Sequence, residues 1–564
     1  SPSLAGKAFF SLAVDPANRE HVIAATTQGL YERNLIAGKP QWKQIRKGVH
    51  SSIVAATEGS TVYYASHWGV GVVQSKNGTS WTKLTTGFPT GKIGRIEIAV
   101  QPNNSNVVYA IVADDEGGLT GIYRYDTTVN SWKKITRPPE VLPNDGKQGD
   151  YDLAIAVDPK NADLIYVGGS YFNDGEFWPA SIWRCKVTKT SSGFQMSSDP
   201  IGASAHSDVH VLVHSPGDPD ALWTGTDGGI FLNRNPRSSK NFDSRNSGLA
   251  CLCTNFFAQH PTDPNILFSG LQDNGTARTS GGPIWQHVNW GDGGYCLINW
   301  ATPKQVLVFA NGSVYRATDG GLDHDSWTVQ DFPWSMMTEP IVGPPYNAAQ
   351  PNDAKTVALG SANRNTGLPQ VYVSYDFGIT WPDEVLINAK GGIFSLTFAT
   401  ATRFFIGTIK GEVFRADLAA GQWKVNRIDN AAAGQLALNG IVSDIAIDWS
   451  DQTGASIYIC FGGFGDARHV WHFDGTKWEA RSGTLQSKRL LDVEHNAIVV
   501  DRAAPANVYA GADIGVWHSA DSGATWEPLP NNLPDAPVFD LQIHPTQRLL
   551  RASTHGRGLF EWKL

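Results

Sequence analysis

The chain has 564 residues, 41% hydrophobic and 17% charged, with 58 Gly, 31 Pro and 20 Trp but only 3 Met. Its formal net charge of -8, from 53 acidic and 45 basic residues, argues against the clustered cationic surface that a nucleic-acid partner requires. No apolar run approaches the roughly 18–20 residues of a membrane-spanning helix.

Read from the N-terminus, one phrase recurs. An alternating apolar strand leads into a Pro-containing turn, a second strand, a Gly turn, a third strand and a strand bearing Trp. The first copy is SLAVDPANREHVIAATTQGLYERN with WKQI (11–45), followed by a weaker one in STVYYASHWGVGVVQSKNGTSW (60–81). Further copies begin at IAVQP (98), IAVDP (155), LVHSP (212), FAQHP (257), VLVFA (306), VYVSY (371), FFIGT (404), IYICF (457), NVYAG (507) and QIHPT (542). Twelve units over this length average 47 residues, the period of a four-stranded β-propeller blade. The sequence therefore predicts an all-β fold of tandem propellers, about twelve four-stranded blades in total. One large ring of ten or more blades is the alternative.

The fifth and eleventh units superpose without a gap. Pro219 falls on Pro505 and Asp227 on Asp513, both 286 positions apart. This duplication predicts two halves of about six blades, 1–289 and 290–564.

The segment SAHSDVHVLVHS (204–215) places His206, Asp208 and His210 on one side of a strand, because strand side chains alternate. The 286-residue offset sets Asp492, Glu494 and Asn496 opposite them. In an antiparallel meander the TDGG turn of Asp227 and the LQDNG turn of Asp273 and Asn274 lie at the end where inner strands start. There GDGGYC contributes Asp292, next to Trp290. His206, Asp208, His210, Asp227, Asp273 and Asp292 are thus expected on one channel face of blades five to seven.

Two segments, SYDFGITW (374–381) and SADSGATW (519–526), fit an S-x-D-x-G-x-T-W turn, and SKNGTSW (75–81) is one residue short. Their Asp residues are expected to bond their own turn and do no chemistry. Together with THGRGLFEW (554–562) and the repeats, these segments resemble the Asp-box (BNR-repeat) propeller superfamily. Its members include sialidases, sortilin and the two-propeller xyloglucanases. The resemblance implies a secreted carbohydrate-active protein, most closely a glycoside hydrolase cleaving a polysaccharide without a cofactor. The xyloglucanases carry a catalytic Asp in a T-D-x-G-G turn, which Asp227 matches. Asp513 is its counterpart in the other half, across an inter-propeller cleft if the halves face each other. The first blade departs from that pattern, since Gln28 stands where an acid is expected.

The chemistry expected of this face is paired-carboxylate hydrolysis, with one acid kept protonated and the other acting as base or nucleophile. Asp227, Asp513, Asp208, His206 and His210 are the catalytic candidates. Asp273, Asn274, Asp292, Glu494, Asp492 and Trp290 are the substrate contacts. His206, Asp208 and His210 are also competent ligands for a divalent metal, though no fourth ligand is evident. A His-based polysaccharide lyase, or a sortilin-like or lectin-like binding propeller, would use the same face without paired acids. The trimmed start and the aromatic, Lys-poor composition lean towards secretion.

Overall fold

The computed structural model describes residues 4 and 7–564, apart from 37, 144–146, 173–177, 334–338, 431–435, 437–439, 467, 486, 487 and 530–532. Twelve antiparallel meanders follow one another, each strand pairing with the next in sequence. They span 9–47, 53–84, 96–136, 154–200, 209–244, 254–289, 293–331, 341–386, 393–427, 441–480, 495–528 and 538–563, here blades 1 to 12. Eleven have four strands and blade 12 has three among the described residues, so the twelve-unit all-β reading holds. Blades 3 and 4 are also joined by parallel pairing of their outer strands at Ile135–Phe194 and Thr136–Gln195. The helical elements described are short 3-10 turns such as His324–Ser326 and Pro351–Lys355.

Two compact units divide the chain, Ser1–Leu249 and Ala250–Leu564. The first holds blades 1–5 and the second blades 6–12, instead of two sets of six meeting after residue 289. Blade 6 belongs to the second unit because its inner strand is locked to blade 12. The Thr254 hydroxyl donates to the Thr554 carbonyl at 2.8 Å, and the Thr554 N–H donates back at 2.9 Å. The Phe257 N–H donates to Asp540 Oδ2 at 3.2 Å, and Ser553 Oγ donates to the Asn255 carbonyl at 2.6 Å. This closure makes a seven-bladed ring and rules out one large ring through all twelve blades. In the first unit, consecutive inner strands pack on one another from blade 1 to blade 5.

The core lies between blades. Trp132, 1% exposed, packs on Phe88 and Tyr125 between blades 2 and 3 and donates its indole N–H to the Leu84 carbonyl at 3.0 Å. Burying such a ring contributes roughly 4–6 kcal/mol of hydrophobic stabilisation. Trp478 and Trp526 are similarly buried, whereas the other strand-closing Trp residues are half-buried.

Two recurring local devices matter for the site. Inner strands of blades 1, 5, 6, 7, 9, 11 and 12 carry a β-bulge next to their first residue, and that of blade 10 carries one after its second. Such a bulge re-aims one side chain. The S-x-D-x-G turns behave as expected. Asp376 Oδ1 accepts from the N–H groups of Ile379 and Thr380 at 3.0 and 2.8 Å, while Gly378 takes φ 78°. Asp521 repeats this with Thr525 at 2.8 Å. Acids at the end of inner strands are likewise structural. Burial works against ionisation of Asp15, yet hydrogen bonds from Thr61 and Ala17 hold it at about 2.

Candidate active site

Within the first unit, blades 4 and 5 bring together Tyr151, Asp152, Asp208, His210 and Asp227. The blade 5 inner strand begins only at Val209. Asp208 before it adopts φ 61°, a left-handed conformation that Asp tolerates better than most residues. Its N–H donates to the Ser170 carbonyl of blade 4 at 2.9 Å. His210 is the extra residue of the bulge between Val209 and Val211. Simple alternation therefore does not operate here; a left-handed residue and a bulge do the aiming instead.

His210 Nε2 lies 2.5 Å from Asp227 Oδ1, and its Nδ1 lies 4.0 Å from Asp152 Oδ1. The Tyr151 hydroxyl donates to both oxygens of Asp227, at 3.3 and 3.2 Å. The Tyr151 ring meets the imidazole edge-on at 4.7 Å and is 50% exposed, so this side faces solvent. Asp227 occupies the turn closed by Thr226, whose hydroxyl accepts the Gly228 N–H at 3.2 Å. His206 packs on the same turn: a Cβ on Gly228 would lie 2.2 Å from its ring, so only glycine fits there.

Asp152 is fully buried, and among the described residues no donor reaches either carboxyl oxygen. The group it meets is the carboxylate of Asp208, and two carboxyls can share such a contact only with a proton between them. Burial, then the charges of Asp208 and Asp227, push Asp152 up to about 9, against the opposing pull of Arg95. Burial and Asp227 also raise Asp208, while the bonds to Asp152 and Ser207 and the nearby His206 oppose that rise. The pair holds one proton at neutral pH, with Asp152 donating and Asp208 half-exposed. Tyr151 and Asp152 were missed in the sequence. Their signal is positional, because YD at 151–152 precedes the inner strand of blade 4 as HSD precedes that of blade 5.

No group of three or more His, Cys, Asp or Glu side chains among the described residues is arranged to hold a metal ion. The expected ligand set of His206, Asp208 and His210 is therefore corrected. Asp208 is committed to Asp152, His210 to Asp227, and His206 Nδ1 to the Ser207 carbonyl at 3.2 Å.

Asp273, Asn274, Asp292 and Trp290 belong to the second unit, whereas His206, Asp208, His210 and Asp227 belong to the first. The Asp273 N–H donates to Asp292 Oδ1 at 3.0 Å, and the Asp292 N–H donates to Asn311 Oδ1 at 2.9 Å. Asn274 Nδ2 donates to the Gln272 carbonyl at 3.0 Å. These contacts build turns. Trp290 is 56% exposed beside His287. In blade 11, Asn496 is the bulge residue and donates to Asp513 Oδ1 at 3.1 Å, reproducing the His210–Asp227 geometry. Burial and then Asp513 raise Glu494, and Asp492 accepts from His469 Nε2 at 3.2 Å. In blade 1, Gln28 is a turn residue, its N–H donating to Thr26 Oγ1 at 3.2 Å.

No family model matches the chain. A probable oligoxyloglucan-reducing end-specific xyloglucanase of Neosartorya fischeri is 22% identical over 353 residues, 54% of this chain and 41% of the relative. The chain thus spans less than half the length of that curated relative. Among solved structures, an ancestral GH74 enzyme superposes with a TM-score of 0.64 at 14% identity, over 100% of this chain and 87% of its own. The GH74 xyloglucanase of Xanthomonas campestris gives 0.57 at 16%, covering 98% and 82%. The GH74 enzyme of Niastella koreensis gives 0.56 at 16%, covering 98% and 81%. At this level of identity what is shared is architecture: the chain has the propeller fold of the solved GH74 enzymes.

Proposed function

We propose that this protein is a secreted glycoside hydrolase that cleaves a neutral polysaccharide at the Asp208–Asp227 face of its first unit. The observation carrying this reading is a carboxyl pair, Asp152 and Asp208, that retains a proton beside a separate, solvent-reachable carboxyl, Asp227. Hydrolysis needs both: an acid to protonate the leaving glycosidic oxygen and a base to activate water. Asp208, supplied by Asp152, gives the proton. Asp227, held by His210 and Tyr151, receives the proton of the attacking water. No cofactor enters these steps.

Charge favours hydrolysis over elimination. A lyase acts beside a uronate carboxylate, which needs a neutralising cation, yet this face carries three aspartates. Its nearby arginine, Arg95, is already paired with Glu97 at 3.0 Å. Kinship with the Asp-box superfamily fits the turn geometry, and the Neosartorya relative's name puts xyloglucan at the head of the substrates to test. In the second unit, Asp513, Glu494 and Asp492 form a diverged copy. We assign it substrate contact without proton transfer, along with Trp290 and the Asp273–Asn274–Asp292 turns.

The test is reducing-sugar release from a panel of neutral and uronate-containing polysaccharides by the parent, Asp208→Asn, Asp227→Asn and Asp513→Asn. Loss of at least about 100-fold in the first two variants, with Asp513→Asn within a few-fold, is expected. An unsaturated uronide product would replace hydrolysis by elimination. Equal activity in all four proteins would remove the site.

A further inference from the structure

Arg95 lies one residue before the inner strand of blade 3, outside the cluster of blades 4 and 5. Its side chain is 11% exposed. One guanidinium nitrogen donates to the Tyr151 carbonyl and reaches the Asp150 carbonyl at 3.4 Å, while Nε donates to Glu97 Oε1 at 3.0 Å. The loop that it grips is also tied to blade 3 by the Gly149 N–H, which donates to the Gly117 carbonyl at 2.8 Å. Asp152 follows directly, its N–H donating to the Gln148 carbonyl at 2.7 Å. The side chain that must meet Asp208 is thus presented by backbone held from the neighbouring blade.

We propose that Arg95 is a positioning residue for the proton-sharing pair, fixing Tyr151 and Asp152 through their backbone and setting the electrostatic level at which the pair gives up its proton. The inference rests on the hydrolase reading for its catalytic consequence but not for its structural content. A planar guanidinium can serve two carbonyls and a carboxylate at once, which an ammonium cannot do in the same geometry. Glu97 shares the arginine and is itself raised by burial. The titratable and charged groups near Asp152 are Asp208 and His210 from blade 5, Asp227 from its turn, and Arg95 from blade 3, whose guanidinium Glu97 shares. Arg95 is the cation among them, and it counteracts the upward push on Asp152.

Two measurements test this. In steady-state hydrolysis, Arg95→Gln should lower kcat by about 10–100-fold with KM changed only a few-fold, as expected for an acid displaced by a fraction of an ångström. Its alkaline limb should move to higher pH, because the pair loses a neighbouring cation. Arg95→Lys should restore the limb but little of kcat, and added guanidinium should partly rescue Arg95→Ala. A fall in melting temperature with kcat and the limb unchanged would overturn the proposal.

The second measurement needs no activity. The pH dependence of thermal unfolding is recorded for the parent, Arg95→Gln, Asp152→Asn and the double variant. Arg95→Gln should shift the titration of stability towards higher pH in the parent background and do nothing to it in the Asp152→Asn background. An equal shift in both backgrounds, or none in the parent, means that Arg95 does not act through Asp152. If the parent releases no sugar while this cycle closes as expected, the hydrolase reading fails and the positioning role stands.

Discussion

Replacing Asp152 by Asn isolates the group on which the site turns. Asn keeps the shape and can donate to Asp208, but it cannot titrate. Asp152 is ordinary in the unfolded chain, near 3.8, and raised to about 9 in the folded one. Below pH 4 it is protonated in both states and costs nothing. Between pH 4 and 9 the folded state holds a proton that the unfolded state has released, so stability falls as pH rises. The slope for one full proton is about 1.4 kcal/mol per pH unit, giving a ceiling of roughly 4 kcal/mol by pH 7. Sharing of the proton with Asp208 spreads this loss over the pair. A unit of this size moves its melting midpoint by about 2–4 °C per kcal/mol. Calorimetry from pH 4 to 9 should therefore show a first-unit transition that declines more steeply with pH in the parent than in Asp152→Asn. The variant should be the more stable protein at pH 7 and no more stable at pH 4. Parallel curves would refute the shared proton, and with it the acid assigned to Asp208.

Three further outcomes follow from the fold. Trp132→Ala should destabilise the first unit by about 3–5 kcal/mol and leave the second-unit transition in place, as two-transition calorimetry would show. Thr254→Val removes a buried hydroxyl that both donates and accepts across the blade 6–blade 12 seam. It should cost the second unit about 1–3 kcal/mol, read as a lower denaturant midpoint for that unit alone. Asp376→Ala strips its turn of the bonds to Ile379 and Thr380. A loss of about 1–2 kcal/mol in chemical denaturation with unchanged sugar release would separate this acid from those of the site.

Blade number and strand order were legible because most blades repeat parts of one turn chemistry: Pro after the inner strand, Gly in the middle turn, Asp or Asn before Gly in the next. Those signals are local, so twelve phrases gave twelve meanders. Which blades close a ring was not local. It depends on the Thr254–Thr554 seam, whose partners stand 300 residues apart, and the symmetric split at 289 had no means of seeing it. The site was half legible. Asp227 and His210 appear in short motifs, and their contact is real, but strand alternation was the wrong reason. His210 points at Asp227 because it is a bulge residue, and Asp208 reaches Asp152 because it sits at positive φ. Asp152 itself had no motif, since its role comes from burial against a carboxylate of the next blade. The metal reading failed for the same cause: the pattern H-x-D-x-H lists ligands without showing that each is already engaged.

The internal duplication shows how such a fold acquires a site. The bulge next to the start of the inner strand recurs in both units, and in blades 5 and 11 it delivers residues 210 and 496 onto Asp227 and Asp513 in the same way. Geometry is therefore shared by these two copies, while chemistry depends on a few side chains. Asn496 holds Asp513 by a neutral amide that cannot exchange a proton, whereas His210 can. Glu494 replaces Asp208 with one more methylene and stands at the start of a strand whose bulge is kept. What sets blade 5 apart is the blade before it, which offers Asp152 fully buried and facing Asp208. A propeller positions many acids at its inner-strand starts; the one to which we assign proton donation is the one met by a buried carboxyl of the neighbouring blade.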